Sequence, residues 1–359
     1  MIYHFSGDIM KLYEKIYNEL KEEILTGEYT DGALLPPEKE LQKKYEVSRI
    51  TVQHAYKLLE EQGFVQRIPG KGTVLKPSVN KTDKQIIGVV ICDFDSSFGE
   101  ELIKSIEITA KEYGYRILLA RSFDNHENES KILSDFISLG VSGIIIQNCH
   151  GAYTKNLVKL YLQNFPVVSV DRFYNSLLIP SVSSDNCAAG FDLTGYLLKN
   201  GHSRVLFASS NPENTSTLTE RLSGFQKAFM QTDLASKSGV MLTDLLSPVI
   251  RDEKLTEKDI EKIADTIKKT GCTAIVASEY FVAELCEKAR EKHSLKFEIV
   301  CFDHPDTLKV RNIFSHIRQN EKQLGSTAVH RLCSIINEED VTLRTFIPSE
   351  LVLTEKVCK

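Results

Sequence analysis

No apolar run in this chain approaches the ~20 residues that a membrane helix needs. Ile86–Cys92, IIGVVIC, is among the longest. The first residues, MIYHFSGDIMKLYEK, lack a basic segment followed by a long apolar one, so no signal peptide is expected. These absences predict a cytoplasmic protein with no membrane partner. The eight cysteines, at 92, 149, 187, 272, 286, 301, 333 and 358, include no CxxC pair, and several sit in apolar, strand-like runs. Reduced, buried thiols are expected, with no disulfide and no metal. There is no excess of positive charge either. With 44 Lys and Arg against 49 Asp and Glu the net charge is −5, so attraction to nucleic acid would have to come from a local patch. Signatures of catalysis are also missing: no nucleophile elbow, no P-loop and no GxGxxG after a strand. PGKGT at Pro69–Thr73 has the glycines but falls in a predicted hairpin. Neither an enzyme nor a cofactor is expected.

What is present is 359 residues, 42% apolar and 26% charged, a globular composition long enough for two or three domains of ~150 residues. Residues 10–76 read as three helices and a hairpin. Leu12, Ile16, Leu20 and Ile24 recur every four residues, which predicts an amphipathic helix ended by Gly27 and the turn Asp31–Gly32. Pro36 and Pro37 open a second helix with Leu41 and Tyr45 inward. Ser48 is a good N-cap for a third, which buries Val52, Ala55, Leu58 and Leu59 and stops at Gly63. Strands Phe64–Ile68 and Thr73–Leu75 then flank PGKG. Helix, short turn, helix and a two-stranded wing make a winged helix-turn-helix. Residues 77–84, PSVNKTDK, are polar and aperiodic and read as a linker.

From residue 85 to 359 continuous apolar runs alternate with helical patterns. IIGVVICD, RILLARS, GIIIQN and PVVSVDR are followed by a second series, RVLFASS, VMLTDLL, AIVAS and EIVCFD. Buried parallel strands covered by helices on both faces follow from this rhythm. The fold class expected is α/β: a winged helix-turn-helix, then a two-lobed, doubly wound, parallel-sheet domain.

The front module as a whole is neutral, yet from Lys39 to Lys76 eight basic residues face four acidic ones. A basic face of this kind suits backbone phosphates. Arg49, Ile50, Thr51 and Gln53 open the third helix outside its apolar stripe, where a recognition helix reads base edges. The module resembles the gluconate-repressor (GntR) winged-helix family over its whole length, through I..G, LP.E.EL, VSR.TV..A...L...G and G.GT. The resemblance implies DNA contacts at Lys39, Arg49, Ile50, Thr51, Gln53 and Lys71. Lys39 and Gln53 stand where that family usually has Arg, and Gln53 shifts the expected base preference towards adenine.

In doubly wound folds ligands sit at the carboxyl ends of the strands. There the chain has Asp93 and Asp95, Asp171 and Arg172, Ser278 and Glu279, Asp303 and His304, with Arg221 after a polar loop. Carboxylates and arginines around one cleft suit a polyhydroxylated ligand. This part resembles the effector domain of lactose/galactose-repressor proteins, itself similar to periplasmic sugar-binding proteins. The carriers include SGIIIQ, PVVSVDR, ERLSGF..A, VCFDH and SHIRQN. The resemblance implies ligand contacts at Phe98, Asp171, Arg172, Arg221, Ser278, Asp303 and Gln319. Ser96, Gly99 and the pair Ser278-Glu279 depart from that family's usual residues and imply a differently shaped pocket. The expectation is a ligand-responsive bacterial regulator, a repressor of carbohydrate-utilisation genes. Its partners would be double-stranded operator DNA, a small carbohydrate and a second copy of itself as a homodimer. The alternative is a sugar carrier or an enzyme on the same fold. A carrier would carry no winged helix. As acid–base groups Asp171, Asp303, His304 and His202 can be imagined, but His202 is expected simply to cap or pack near a helix end.

Overall fold

The computed structural model describes residues 12–25, 28–30, 32–76, 86–94, 97–149, 153–174, 176–231, 237–245, 253–305 and 314–354. The expected linker 77–84, the turn residues Gly27 and Asp31, and Asp95 and Ser96 lie outside the described residues. The chain divides into two compact units, Met1–Lys84 and Gln85–Lys359.

The first unit holds helices α1 (Leu12–Leu25), α2 (Glu38–Tyr45) and α3 (Arg49–Glu61) and a hairpin of β1 (Val65–Ile68) and β2 (Gly72–Leu75). Ile16 and Leu20 of α1 are fully buried against α3, while Leu12 at the helix start is 55% exposed. The inward face of α3 is Val52, Ala55, Tyr56 and Leu59. Leu58, expected there, is only half-buried. Tyr56 takes the central place because its phenol has a partner indoors: the hydroxyl donates to the Pro36 carbonyl. A buried hydroxyl with a partner costs little and contributes a large apolar ring. Ser48 caps α3, its Oγ accepting from Thr51 N at 3.3 Å. Gly63, at φ +80°, turns the chain out of the helix into the hairpin.

In the second unit the first lobe is a six-stranded parallel sheet. It contains β3 (Ile86–Ile91), β4 (Arg116–Arg121), β5 (Ile144–Ile146), β6 (Val167–Val170), β7 (Ser181–Ser184) and β13 (Arg344–Ile347), in the order β4-β3-β5-β6-β7-β13. The second lobe contains β8 (Arg204–Ala208), β9 (Ser238–Leu242), β10 (Ala274–Ala277), β11 (Glu298–Phe302), β12 (Ser315–Arg318) and β14 (Glu350–Val352). Its order is β9-β8-β10-β11-β12-β14, with β14 antiparallel at the edge. The first five strands repeat the same winding, so β6 and β11 occupy equivalent positions. Covering helices are α4 (Glu100–Glu112), α5 (His126–Ser138) and α6 (Lys155–Leu162), then α7 (Asn186–Lys199), α8 (Ser216–Met230), α9 (Glu253–Thr270), α10 (Tyr280–Lys292) and α11 (Glu321–Ile336).

Neither lobe is one continuous stretch. The chain crosses after β7, after β12, and between β13 and β14. Although α11 follows β12 of the second lobe, its Leu324, Ala328, Val329 and Leu332 pack with Ile87, Val89, Ile145 and Val168 of the first. Helices α7 and α8 cross at two glycines. A Cβ on Gly190 would stand 2.5 Å from Arg221 O, and one on Gly224 would stand 2.2 Å from Cys187 O. The two absent side chains are what let α8 come close enough to set Arg221 against the start of α7. His202 bridges Thr273 Oγ1 (2.9 Å) and Glu298 Oε2 (3.1 Å), a structural tie near the end of α7. Among the described residues no helix is long and apolar enough to cross a membrane.

Candidate nucleic-acid interface and ligand cleft

On the first unit, the start of α3 and the hairpin turn border one groove of about 680 Å³. Arg49 and Lys71 line it, with Glu38, Arg67 and the loop Leu34–Pro37. Lys39, Ile50, Thr51 and Gln53 lie outside the groove on α2 and α3. Lys39 is exposed, and Ile50, at 78% exposure, is an apolar side chain held in solvent. An exposed isoleucine has a use against a thymine methyl. The turn is tight: Gly70 has φ +77° and Gly72 +115°, and Lys71 N donates to Ile68 O. Both glycines carry the conformation without strain, and Lys71 stands out at the tip.

A carboxylate that sequence reasoning passed over organises this face. Glu38 Oε2 accepts from Arg49 Nε at 2.9 Å and from Gln53 Nε2 at 3.1 Å, and its Oε1 lies 3.9 Å from Arg67 Nη2. Arg67 in turn donates to Gln53 O at 3.3 Å. Glu38 thus ties the long Arg49 and Gln53 side chains to one carboxylate and restrains both. The available signal was position: Glu38 opens α2 one residue before Lys39.

In the second unit, a cavity of about 380 Å³ lies between the lobes. Phe98, Asp171, Arg172, Arg221, Asp303 and Gln319 all line it. Ser278 does not: its side chain is fully buried, and only its carbonyl takes part, accepting from Arg221 Nη1 at 2.6 Å. The wall there is Glu279. β10 ends at Ala277, so Ser278 still points into the lobe and the next residue is the first to reach the cleft.

The two lobes present matching devices. Asp171 follows β6 and Asp303 follows β11, and both adopt left-handed backbone, φ +65° and +62°. Such a conformation at a non-glycine residue is uncommon and clusters at functional sites. Each aspartate accepts a hydrogen bond of 2.8 Å from a glutamine amide, Gln147 on Asp171 and Gln319 on Asp303. Gln147 was missed in the sequence. It is the first polar residue after the run GIII, and strand ends are where polar residues matter.

The arginines are already engaged. Arg172 Nη1 donates to Asn148 O at 2.8 Å and sits 3.5 Å from Asp124 and 3.4 Å from Cys92 Sγ. Arg221 Nε donates to Asn186 Oδ1 at 2.8 Å, its Nη2 lies 3.8 Å from Asp303, and its guanidinium covers the Phe302 ring. Burial pushes the Glu279 carboxyl above the usual carboxylate range, against the opposing pull of Arg221 and Arg172. Hydrogen bonds across the hinge complete the site: Ser184 Oγ to Gln319 Oε1 at 2.6 Å, and Phe173 N to Ser216 Oγ at 2.9 Å. Glu321 accepts from Gly99 N and Leu102 N and so anchors the start of α4 beside Phe98; burial raises its carboxyl to about 7 despite those bonds.

Residues 12–75 match the family described as bacterial regulatory proteins, gntR family, and residues 84–252 match periplasmic binding proteins and the sugar binding domain of the LacI family. The arabinose metabolism transcriptional repressor of Geobacillus stearothermophilus is 27% identical over 346 residues, 90% of this chain and 92% of its own. Catabolite control protein A of Priestia megaterium is 25% identical over 298 residues, 79% of this chain and 82% of its own. Among solved structures, the Alkaliphilus metalliredigens periplasmic binding protein/LacI transcriptional regulator complexed with D-xylulofuranose has a TM-score of 0.62 at 21% identity. It covers 75% of this chain and 97% of its own, a likeness of fold.

Proposed function

We infer that this chain, a transcription regulator that joins a gntR-type winged helix to a LacI-type sugar-binding domain and not an enzyme, represses carbohydrate-utilisation genes and answers to an uncharged sugar. The observation that carries the reading is one chain with two displays. Arg49 and Lys71 border a groove on the winged helix. Asp171 and Arg172 from one lobe and Arg221 and Asp303 from the other wall a cavity of sugar size. The repressor of Geobacillus stearothermophilus, similar to this chain along nearly its whole length, is named for arabinose metabolism, which supports a pentose or a related sugar as effector. A cytoplasmic homodimer fits the same reading, because two heads are needed to read the two halves of a pseudo-palindromic operator. Lys39, Ile50, Thr51 and Gln53 would complete the DNA contacts, and Phe98 and Gln319 the ligand contacts.

The charge of the cleft supports a free sugar over a sugar phosphate. Its lining carries the carboxyls of Asp93, Asp171, Glu279, Glu284 and Asp303 against the guanidiniums of Arg172 and Arg221. Both guanidiniums already donate inside the protein. A phosphate would meet this excess of negative charge, and the forks of both arginines are already partly spent inside the protein. A thermal-shift screen with matched pentoses, hexoses and their phosphate esters is therefore expected to give stabilisation by a free sugar and none by its phosphate. Stabilisation by the phosphate alone would reverse this assignment.

A second expectation concerns the head. Residues 1–80 alone should bind the operator weakly, since the module 10–76 balances eleven basic with eleven acidic residues and presents one reading helix. Held in pairs, the heads gain from effective concentration, by a factor of about 10²–10⁴. Fluorescence anisotropy with a full operator compares the two forms. Equal affinity for the isolated head and the whole chain would remove dimerisation through the second unit from the account.

A further inference from the structure

We propose that Cys92 and Cys149 form a peroxide-reactive dithiol on the floor of the cleft, convertible to a disulfide. The two residues leave adjacent parallel strands. β3 and β5 are in register at Val90 and Ile146, and both cysteines follow within a few residues at the carboxyl ends. Their sulfurs and a carboxylate oxygen of Asp124 all lie within 4.8 Å of one another. Both thiols are free and almost fully buried, at 2% and 3% exposure, yet Cys92 lines the cavity between the lobes. A small oxidant entering the cleft reaches Cys92 first.

Cys92 has partners for both of its forms: the thiol can donate to Gln147 O and Asn148 O, each at 3.3 Å, and to Asp124 Oδ1 at 3.6 Å, while Arg172 is placed to hold the thiolate. The Cys92 sulfur lies within 4.8 Å of the Cys149 sulfur, whose thiol donates to Ser122 Oγ at 3.3 Å, and it faces the Arg172 guanidinium, with Nη1 at 3.4 Å. Of these two neighbours, Cys149 and Arg172, Cys149 is the larger influence. Together they pull the Cys92 thiol below its ordinary value against its burial, while Cys92 and burial push the Cys149 thiol up. A low-lying thiolate beside a cation, with a second thiol in reach, is the arrangement that selects a cysteine for oxidation. A metal fits the trio less well. Cys92 Sγ and Asp124 Oδ1 both already face the Arg172 Nη1, so a positive charge occupies the place a cation would take.

The chemistry balances with a hydroperoxide as oxidant. The Cys92 thiolate attacks one peroxide oxygen, the O–O bond breaks, hydroxide leaves, and Cys92 becomes a sulfenic acid. The Cys149 sulfur then attacks the Cys92 sulfur, the S–O bond breaks, and the thiol proton leaves with the departing hydroxide as water. In sum two thiols and one hydrogen peroxide give one disulfide and two waters. Once in a disulfide the Cys92 sulfur carries no negative charge, which removes one of the partners of Arg172 in the cleft.

The test uses the full chain and hydrogen peroxide, with alkylation of the remaining thiols and peptide mapping by mass. Cys92 and Cys149 are expected to disappear together from the alkylatable pool at least about tenfold sooner than the half-exposed Cys187. They should appear as one linked peptide and return after dithiothreitol. In Cys149→Ser, Cys92 should stop at the sulfenic stage and be trapped by dimedone. Three results would overturn the proposal: Cys92 reacting no sooner than Cys187; both cysteines oxidised without a linked peptide; or cadmium binding to the unoxidised protein with a thiolate absorption band that needs both cysteines, which would make the trio a metal site.

Discussion

Replacing Arg49 with alanine is expected to abolish specific operator binding and to leave the fold intact. The side chain is 71% exposed and contributes nothing to the core around Ile16, Leu20 and Tyr56. The cap of α3 belongs to Ser48 and survives the change. What is lost is a guanidinium at the head of the proposed reading helix, worth about 1–3 kcal/mol per half-site where it meets a base bidentately. The proposed dimer would lose it twice, so operator affinity should fall by roughly a hundredfold or more. The damage exceeds one contact, because Glu38 is left with Gln53 and Arg67 alone and its carboxylate faces the duplex less fully neutralised. For the same reason Glu38→Gln should retain more operator binding than Arg49→Ala. Gel shifts at fixed salt with operator and scrambled duplexes decide the point. Unchanged affinity and unchanged discrimination would remove Arg49 from the interface.

The winged helix was legible because its signals are local. A serine cap, an apolar stripe and two glycines in a short turn each act within a few residues, so spacing in the chain is spacing in space. Tyr56 escaped because its burial depends on the Pro36 carbonyl, twenty residues away in sequence. In the second unit the apolar runs declared themselves, since a parallel strand covered on both faces must be apolar throughout. β7, with the sequence Ser-Val-Ser-Ser, carries no such signature. It is a buried strand only because β6 and β13 flank it, and β13 comes more than 150 residues later. That strand is also where the chain first crosses between lobes, so the division of the lobes was hidden with it. Of the named residues that line the cleft, Asp171, Arg172 and Asp303 sit directly after apolar runs, whereas Phe98, Arg221 and Gln319 do not. Gln147 and Glu279 sit at equivalent strand ends, but their roles come from partners supplied by other strands. Ser278 was named in place of Glu279 because one residue of register decides which side chain faces the cavity.

Arg221→Ala and Asp303→Ala are each expected to leave the regulator unable to sense its sugar while its hold on DNA is unchanged. Both side chains are almost entirely buried, Arg221 at 4% and Asp303 at 9% exposure, so neither is available for DNA. Arg221 ties three elements to one point: Asn186 at the start of α7, the Ser278 carbonyl after β10, and Asp303 after β11. Asp303, held by Gln319, turns its carboxylate towards the cavity from the second lobe as Asp171 does from the first. A sugar bound between the two must bond to both lobes at once. It shifts their equilibrium only by its greater affinity for the arrangement in which both sets of groups reach it. Removing one charged partner from the second lobe should weaken ligand binding by roughly 2 kcal/mol or more, about thirtyfold. It also removes the differential affinity that transmits the signal, so the head stays in whichever state the empty cleft favours. Asp303→Asn gives the finer comparison, since it keeps the volume and the glutamine contact but not the charge, and should fall between wild type and alanine. Calorimetry with the sugar identified in the thermal-shift screen, paired with operator binding with and without it, tests both halves. Wild-type sugar affinity in both alanine variants would show that the cavity between Asp171 and Asp303 is not the effector site.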